Sequence, residues 1–147
     1  MNIANEKEMI RFAMNFAKRP DLPSVIVLTG DVGAGKTTFT RALAMALGVT
    51  EMVTSPSFTI SRRYALRDGG ELVHYDFYRL SDPGLMAEDL AESINTPGAI
   101  TVIEWGQDVL DLVPDNACFL TFAINDDGSR TITERTKAAT KSAGVAA

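Results

Sequence analysis

Between residues 24 and 48 the chain passes from an apolar run through a glycine-rich loop into an amphipathic stretch, and that order limits the possible folds severely. Ser24-Val-Ile-Val-Leu-Thr29 is short, β-branched and apolar, the pattern of a strand buried on both faces. Gly30-Asp31-Val32-Gly33-Ala34-Gly35-Lys36-Thr37 then fits G-x-x-x-x-G-K-[ST] at each required position. From Lys36 to Leu47, Phe39, Ala42, Leu43, Ala46 and Leu47 share one helical face, and Gly48 supplies the stop. A chance match is a poor explanation, because the flanking strand and helix are what a phosphate-binding loop needs. Gly30 and Gly35 let the backbone wrap an anion where a Cβ would forbid it. The loop amides and the helix N-terminus then point positive charge at that anion. Lys36 is expected to reach the β- and γ-phosphates of a nucleotide, and the Thr37 hydroxyl to ligate Mg²⁺. The nucleotide-binding segment runs from Gly30 to Thr38.

The rest of the chain reads as alternating helices and strands. Asn5 to Arg19 is a predicted helix, with Met9, Phe12, Ala13 and Phe16 as its apolar stripe and Pro20 as its stop. Phe58 to Leu66 and Glu71 to Leu80 are predicted strands joined at Asp68-Gly69-Gly70. Pro83 to Ile94 has helical character. Ala99 to Glu104 is a second buried strand, and Gln107 to Val113 a short helix. Ala117 to Ile124 and Ser129 to Arg135 form another hairpin around Asn125-Asp-Asp-Gly128. These elements predict an α/β fold, a single P-loop domain over residues 1–136 with a mixed parallel and antiparallel sheet flanked by helices. The small, polar stretch 137–147 is expected to be a disordered tail.

Composition excludes several classes. The chain has 147 residues, so one domain is the natural reading. Cys118 is its one cysteine, which rules out a disulfide scaffold and fits a reducing cytoplasm. The N-terminus has no apolar stretch before a small-residue cleavage site, and no run reaches the roughly 20 residues that span a bilayer. Fourteen Lys and Arg against 19 Asp and Glu leave a net charge of −5, which argues against a broad basic face for DNA or RNA.

Hydrolysis needs acidic partners for the metal and the attacking water. Glu104 ends a buried strand, at the rim where open α/β sheets place ligands; the bland alternative is a solvated strand-end carboxylate. In Leu72-Val-His-Tyr-Asp-Phe-Tyr-Arg-Leu80, alternation puts His74, Asp76 and Tyr78 on one face and Val73, Tyr75 and Phe77 on the other. Asp76 stands evenly between a metal or water role and a structural hydrogen bond, and His74 reads more readily as structural. Hydroxyls at Ser55, Ser57 and Thr59, with Pro56 and Phe58 between them, suit a switch segment that senses a γ-phosphate, or an ordinary turn into a strand. Arg62, Arg63 and Arg79 suit phosphate neutralisation or plain solvation. Trp105 stands open between stacking on a base and packing.

GDVGAGKTT, TSPSFTI, HYDFYRL and VIEW, in this order and spacing, resemble the TsaE (YjeE) family, small bacterial P-loop ATPases of tRNA threonylcarbamoyladenosine biosynthesis. The resemblance covers about Asn5 to Arg135. It implies ATP and Mg²⁺ at the loop, with Lys36 as the catalytic cation. Thr37 and Glu104 would serve the metal, Asp76 the metal or catalytic water, and Ser55 to Thr59 the switch. Ser57 stands where many members carry Thr, which keeps the hydroxyl. The resemblance further implies TsaB- and TsaD-like partners, with tRNA met only through them. Against this stand a small-molecule P-loop kinase and a non-hydrolysing, ATP-dependent assembly module. A GTPase lacks support, since no Asn-Lys-x-Asp segment exists to read guanine.

Overall fold

The computed structural model describes residues 1–56, 61–78, 86–105 and 107–142. In chain order the elements are β1 (Asn2–Ile3), α1 (Glu6–Ala17), β2 (Val25–Gly30), α2 (Lys36–Ala46), β3 (Ser61–Ala65), β4 (Glu71–Asp76), α3 (Ala87–Asn95) and β5 (Ala99–Glu104). A short 3-10 helix (Gln107–Leu112), β6 (Cys118–Ile124), β7 (Arg130–Thr136) and α4 (Lys137–Ser142) follow. The sheet has seven strands in the order β1-β7-β6-β2-β5-β4-β3. Its centre, β6-β2-β5-β4, is parallel, and both hairpins add antiparallel margins. The expected mixed sheet is therefore present.

Period-two alternation along each central strand divides the core into two halves. One face, with Ile26, Leu28, Leu72, Val102 and Leu120, packs on α1 and α2 through Phe12, Phe16, Phe39 and Leu43. The opposite face, with Val25, Val27, Val73, Tyr75 and Ile103, packs on Leu90 of α3 and on Val109 and Val113. Strands covered on both sides need apolar residues at nearly every position, which is why β2 and β5 read as continuous runs.

Several boundaries differ from expectation, each for a local reason. Helix α1 opens on the Asn5 cap, whose Oδ1 accepts from Glu8 N at 3.0 Å. It ends at Ala17 rather than Arg19, because Lys18 N turns to Asn15 O in a tighter closing bond. Arg19 then forks onto Glu134 of β7 at 2.6 and 2.8 Å. Strand β4 stops at Asp76 because the Asp76 carboxylate accepts from Tyr78 N at 3.0 Å and turns the chain. The sequence pattern missed β1, whose two residues pair with Thr131 and Arg130. The expected starts of β3 and α3, at Phe58 and Pro83, lie outside the described residues. The segment read as a disordered tail begins with α4, where Lys137 Nζ donates to Leu110 O at 2.7 Å and Val113 O at 2.5 Å. No helix among the described residues is long and apolar enough to cross a membrane.

Candidate functional site

The connection after β2 runs through α2 toward β3 and β4, while the one after β5 crosses to β6 on the other side, so a crevice opens at the C-terminal ends of β2 and β5. The glycine loop occupies that crevice. Its three glycines take positive φ, 137° at Gly30, 83° at Gly33 and 108° at Gly35. Gly30 has a second constraint, since a Cβ there would sit 2.3 Å from Phe122 O on the neighbouring strand. Ala34 N closes the loop on Asp31 O at 3.1 Å, and Phe39 N starts the α2 ladder on Gly35 O at 2.9 Å.

Lys36 folds back over the loop, with Nζ donating to Gly30 O at 2.6 Å and Asp31 O at 2.9 Å. Burial pulls its pKa below the ordinary lysine value, against the opposing pull of Glu104, Asp76 and Asp31. The same ammonium lies 4.8 Å from the centre of the Trp105 ring. Trp105 itself has φ 58°, a rare conformation for a bulky residue. That turn, directly after Glu104, brings the indole against Tyr78 at 4.8 Å between ring centres. Trp105 thus packs on Tyr78 and lines the same cleft as Lys36.

Strand register brings the two carboxylates together. Asp76 and Glu104 are direct partners across the parallel β4–β5 ladder, and Glu104 is also level with Leu28 of β2. Residues in register on parallel strands share a face, so both carboxylates stand on the α2 side of the sheet, beside the loop. Ser55 Oγ donates to Asp76 Oδ2 at 3.2 Å, while Tyr78 N holds Oδ1. Glu104 is buried, and its Oε1 has no hydrogen-bond partner among the described residues. Ser55, Lys36, Thr37, Thr38, Asp76 and Glu104 all line one cleft. Pro56 is buried, and Arg41 Nε ties the preceding backbone at Val53 O, 2.9 Å away. Ser57, Phe58 and Thr59, the remainder of the expected switch, lie outside the described residues, as does Arg79. Arg63 is spent on Glu71 and Asp89.

Among the described residues, no group of three or more His, Cys, Asp or Glu side chains is arranged to hold a metal alone. The donor set nonetheless suits Mg²⁺, which keeps several waters and takes one or two carboxylates plus phosphate oxygens. The Glu104 carboxylate and the Thr37 hydroxyl, which line the same cleft, are donors of that kind.

A second cleft opens on the other side of the loop and escaped the sequence reading. Ile3, Asn5 and Met9 from the N-terminus meet Gly128 and Arg130 from the β6–β7 hairpin there, beside Gly33, Gly35 and Thr38. Arg130 Nη2 donates to Gly33 O at 3.1 Å and fastens the hairpin to the loop. No spacing in the sequence joins such distant segments; the pairing of β1 with β7 does.

A glycine loop between a buried central strand and a helix, with paired carboxylates on the adjoining strand ends, defines a P-loop nucleotide-binding protein. The family model described as "Threonylcarbamoyl adenosine biosynthesis protein TsaE" matches residues 3–133. The chain belongs to the TsaE family. It is 36% identical to the tRNA threonylcarbamoyladenosine biosynthesis protein TsaE of Bacillus subtilis over 136 residues, 90% of this chain and 80% of that one. With the TsaE of Streptomyces coelicolor it shares 46% identity over 84 residues, which spans 57% of that relative and 56% of this chain. The crystal structure of YdiB from Bacillus subtilis superposes with a TM-score of 0.71 at 30% identity, covering 92% of this chain and 83% of that one.

Proposed function

We propose that the chain binds ATP with Mg²⁺ at the glycine loop and hydrolyses it as an accessory subunit of tRNA threonylcarbamoyladenosine biosynthesis. The observation that carries this reading is the convergence of Lys36, Thr37, Asp76 and Glu104 on one cleft. Lys36 and the loop amides bind and orient the β- and γ-phosphates. Thr37 and Glu104 hold the metal, which when bound neutralises phosphate charge. Asp76, fixed by Ser55 and the Tyr78 amide, holds the metal or aligns the attacking water. Tyr78 and Trp105 wall the cleft and limit solvent access to it. The base and ribose then occupy the second cleft, where Ile3 and Met9 offer apolar contact and the acidic pair is absent. Ser55 and Pro56 begin the proposed switch, which runs from Ser55 to Thr59.

TsaB- and TsaD-like proteins are the proposed partners, and the relatives' names support the pathway. A net charge of −5 suits a protein that meets tRNA only through them. The proposed location is cytoplasmic. Phosphate release from ATP and Mg²⁺, measured with and without a TsaB–TsaD complex, tests the proposal. Release that is stimulated by the complex and lost in Glu104→Gln, with nucleotide affinity in the absence of metal kept, is the expected result. Transfer of phosphate to a metabolite instead of water would establish a kinase, and binding without turnover in the presence of partners would establish an assembly module.

A further inference from the structure

His74 lies on β4 two residues before Asp76 and on the same face of the strand, with 0% of its surface exposed. Its Nε2 stands 3.5 Å from Glu104 Oε1. That separation exceeds a formed hydrogen bond, and among the described residues neither ring nitrogen nor Glu104 Oε1 has any partner. Buried polar atoms are normally paired, so two unpaired ones facing each other beside a ligand cleft call for a cause. Packing alone does not supply one, because a leucine would fill the same space without the unpaired nitrogens.

We propose that His74 is a positioning residue for Glu104. With its proton on Nε2, the imidazole donates to Oε1 once the carboxylate closes the remaining gap of a few tenths of an ångström, and so fixes where the other carboxylate oxygen points. The opposite tautomer would set the Nε2 lone pair against the carboxylate lone pairs, which disfavours it. The second carboxylate oxygen is thereby presented to the cleft that holds Lys36 and Thr37. Outer-shell donors of this kind orient a metal-holding carboxylate and change its affinity for the ion. The inference rests on Glu104 serving the metal in the proposed ATPase.

His74 is the one histidine in the chain, so imidazole ¹⁵N resonances report this side chain alone. In the full-length chain without nucleotide, the spectrum is expected to show a ring protonated at Nε2, with the Nε2 signal displaced in Glu104→Gln. Addition of Mg²⁺ and ADP is expected to move that signal in the unsubstituted chain and not in Glu104→Gln. His74→Leu should weaken the Mg²⁺ dependence of ADP binding, read by calorimetry, by about 10–100-fold. ADP affinity without metal should stay unchanged, and His74→Gln, which keeps a donor near the Nε2 position, should restore most of the loss. Identical ring spectra with and without the Glu104 carboxylate would overturn the proposal, as would unchanged Mg²⁺ dependence in His74→Leu. If His74→Leu fails to fold, the Glu104→Gln spectrum decides alone. Absence of phosphate release from the unsubstituted chain even with the TsaB–TsaD complex would sink the ATPase reading, while the spectra and the metal dependence still decide the role of His74.

Discussion

Replacing Lys36 by Met keeps most of the stem and removes the charge, which isolates the role of the ammonium. In the free chain, Nζ is held by the carbonyls of Gly30 and Asp31 at 2.6 and 2.9 Å, above the loop that a polyphosphate would fill. A hydrogen bond to a charged partner contributes about 1.5–3 kcal/mol, which corresponds to a loss of roughly ten- to a hundredfold in affinity per phosphate contact. With two phosphates within reach, Lys36→Met should bind a non-hydrolysable ATP analogue more than about a hundredfold more weakly. AMP, which lacks the β- and γ-phosphates, should bind nearly as before. Isothermal titration calorimetry with ATP analogue, ADP and AMP reads this gradient directly. Thermal unfolding serves as the control, because burial already disfavours the Lys36 cation and its removal should cost the fold little. Equal losses for AMP and the ATP analogue, in a variant with an unchanged melting temperature, would show that Lys36 does not meet the terminal phosphates.

Phe39, with no exposed surface, has its ring centre 5.7 Å from Phe12, 5.6 Å from Phe16 and 5.9 Å from Phe122. Phe39→Ala should cost about 3–5 kcal/mol by denaturant titration, and a cost below 1 kcal/mol would mean that this aromatic cluster does not fasten α1 and α2 to the sheet. The Arg19 fork holds Glu134 below the usual carboxylate range, so its contribution is complete above the unfolded value and is lost as pH falls through the folded one. Glu134→Gln should therefore be less stable than the parent chain at neutral pH, and the gap should close in acid; a gap independent of pH would refute the ion pair. Burial, with Glu134 beside it, pushes the Cys118 thiol up to about 12, so Ellman's reagent should label it only as fast as the chain unfolds. Rapid labelling of the native chain would contradict that burial.

How much of this site was legible beforehand depends on which residues their neighbours in sequence could place. The loop was, because β2, the glycines and α2 are contiguous and each carries its own local signal. Glu104 was, because a carboxylate closing an apolar strand breaks a visible pattern. The period of two also separated His74, Asp76 and Tyr78 from Val73, Tyr75 and Phe77. What no local pattern states is strand order. β5 enters between β2 and β4, and that insertion sets Asp76 level with Glu104 and His74 within 3.5 Å of it. The strained turn at Trp105 and the second cleft have the same origin, since both depend on contacts between distant segments.

That dependence on strand order also determines how the site can fail. The backbones of the acidic pair are set level by the β2–β5 and β4–β5 ladders, while the Asp76 carboxylate is held from outside the strands by Ser55 and the Tyr78 amide. Ser55, where the proposed switch begins, donates to Asp76 of this frame. Through that bond, a displacement of Ser55 acts directly on the Asp76 carboxylate. A partner acting through that segment would therefore tune Asp76 while leaving Lys36 and Glu104 in place. Substituting Ser55 by Ala should then reduce stimulated turnover more than nucleotide affinity, as measured by phosphate release beside calorimetry; equal loss of both would place Ser55 in the binding frame instead.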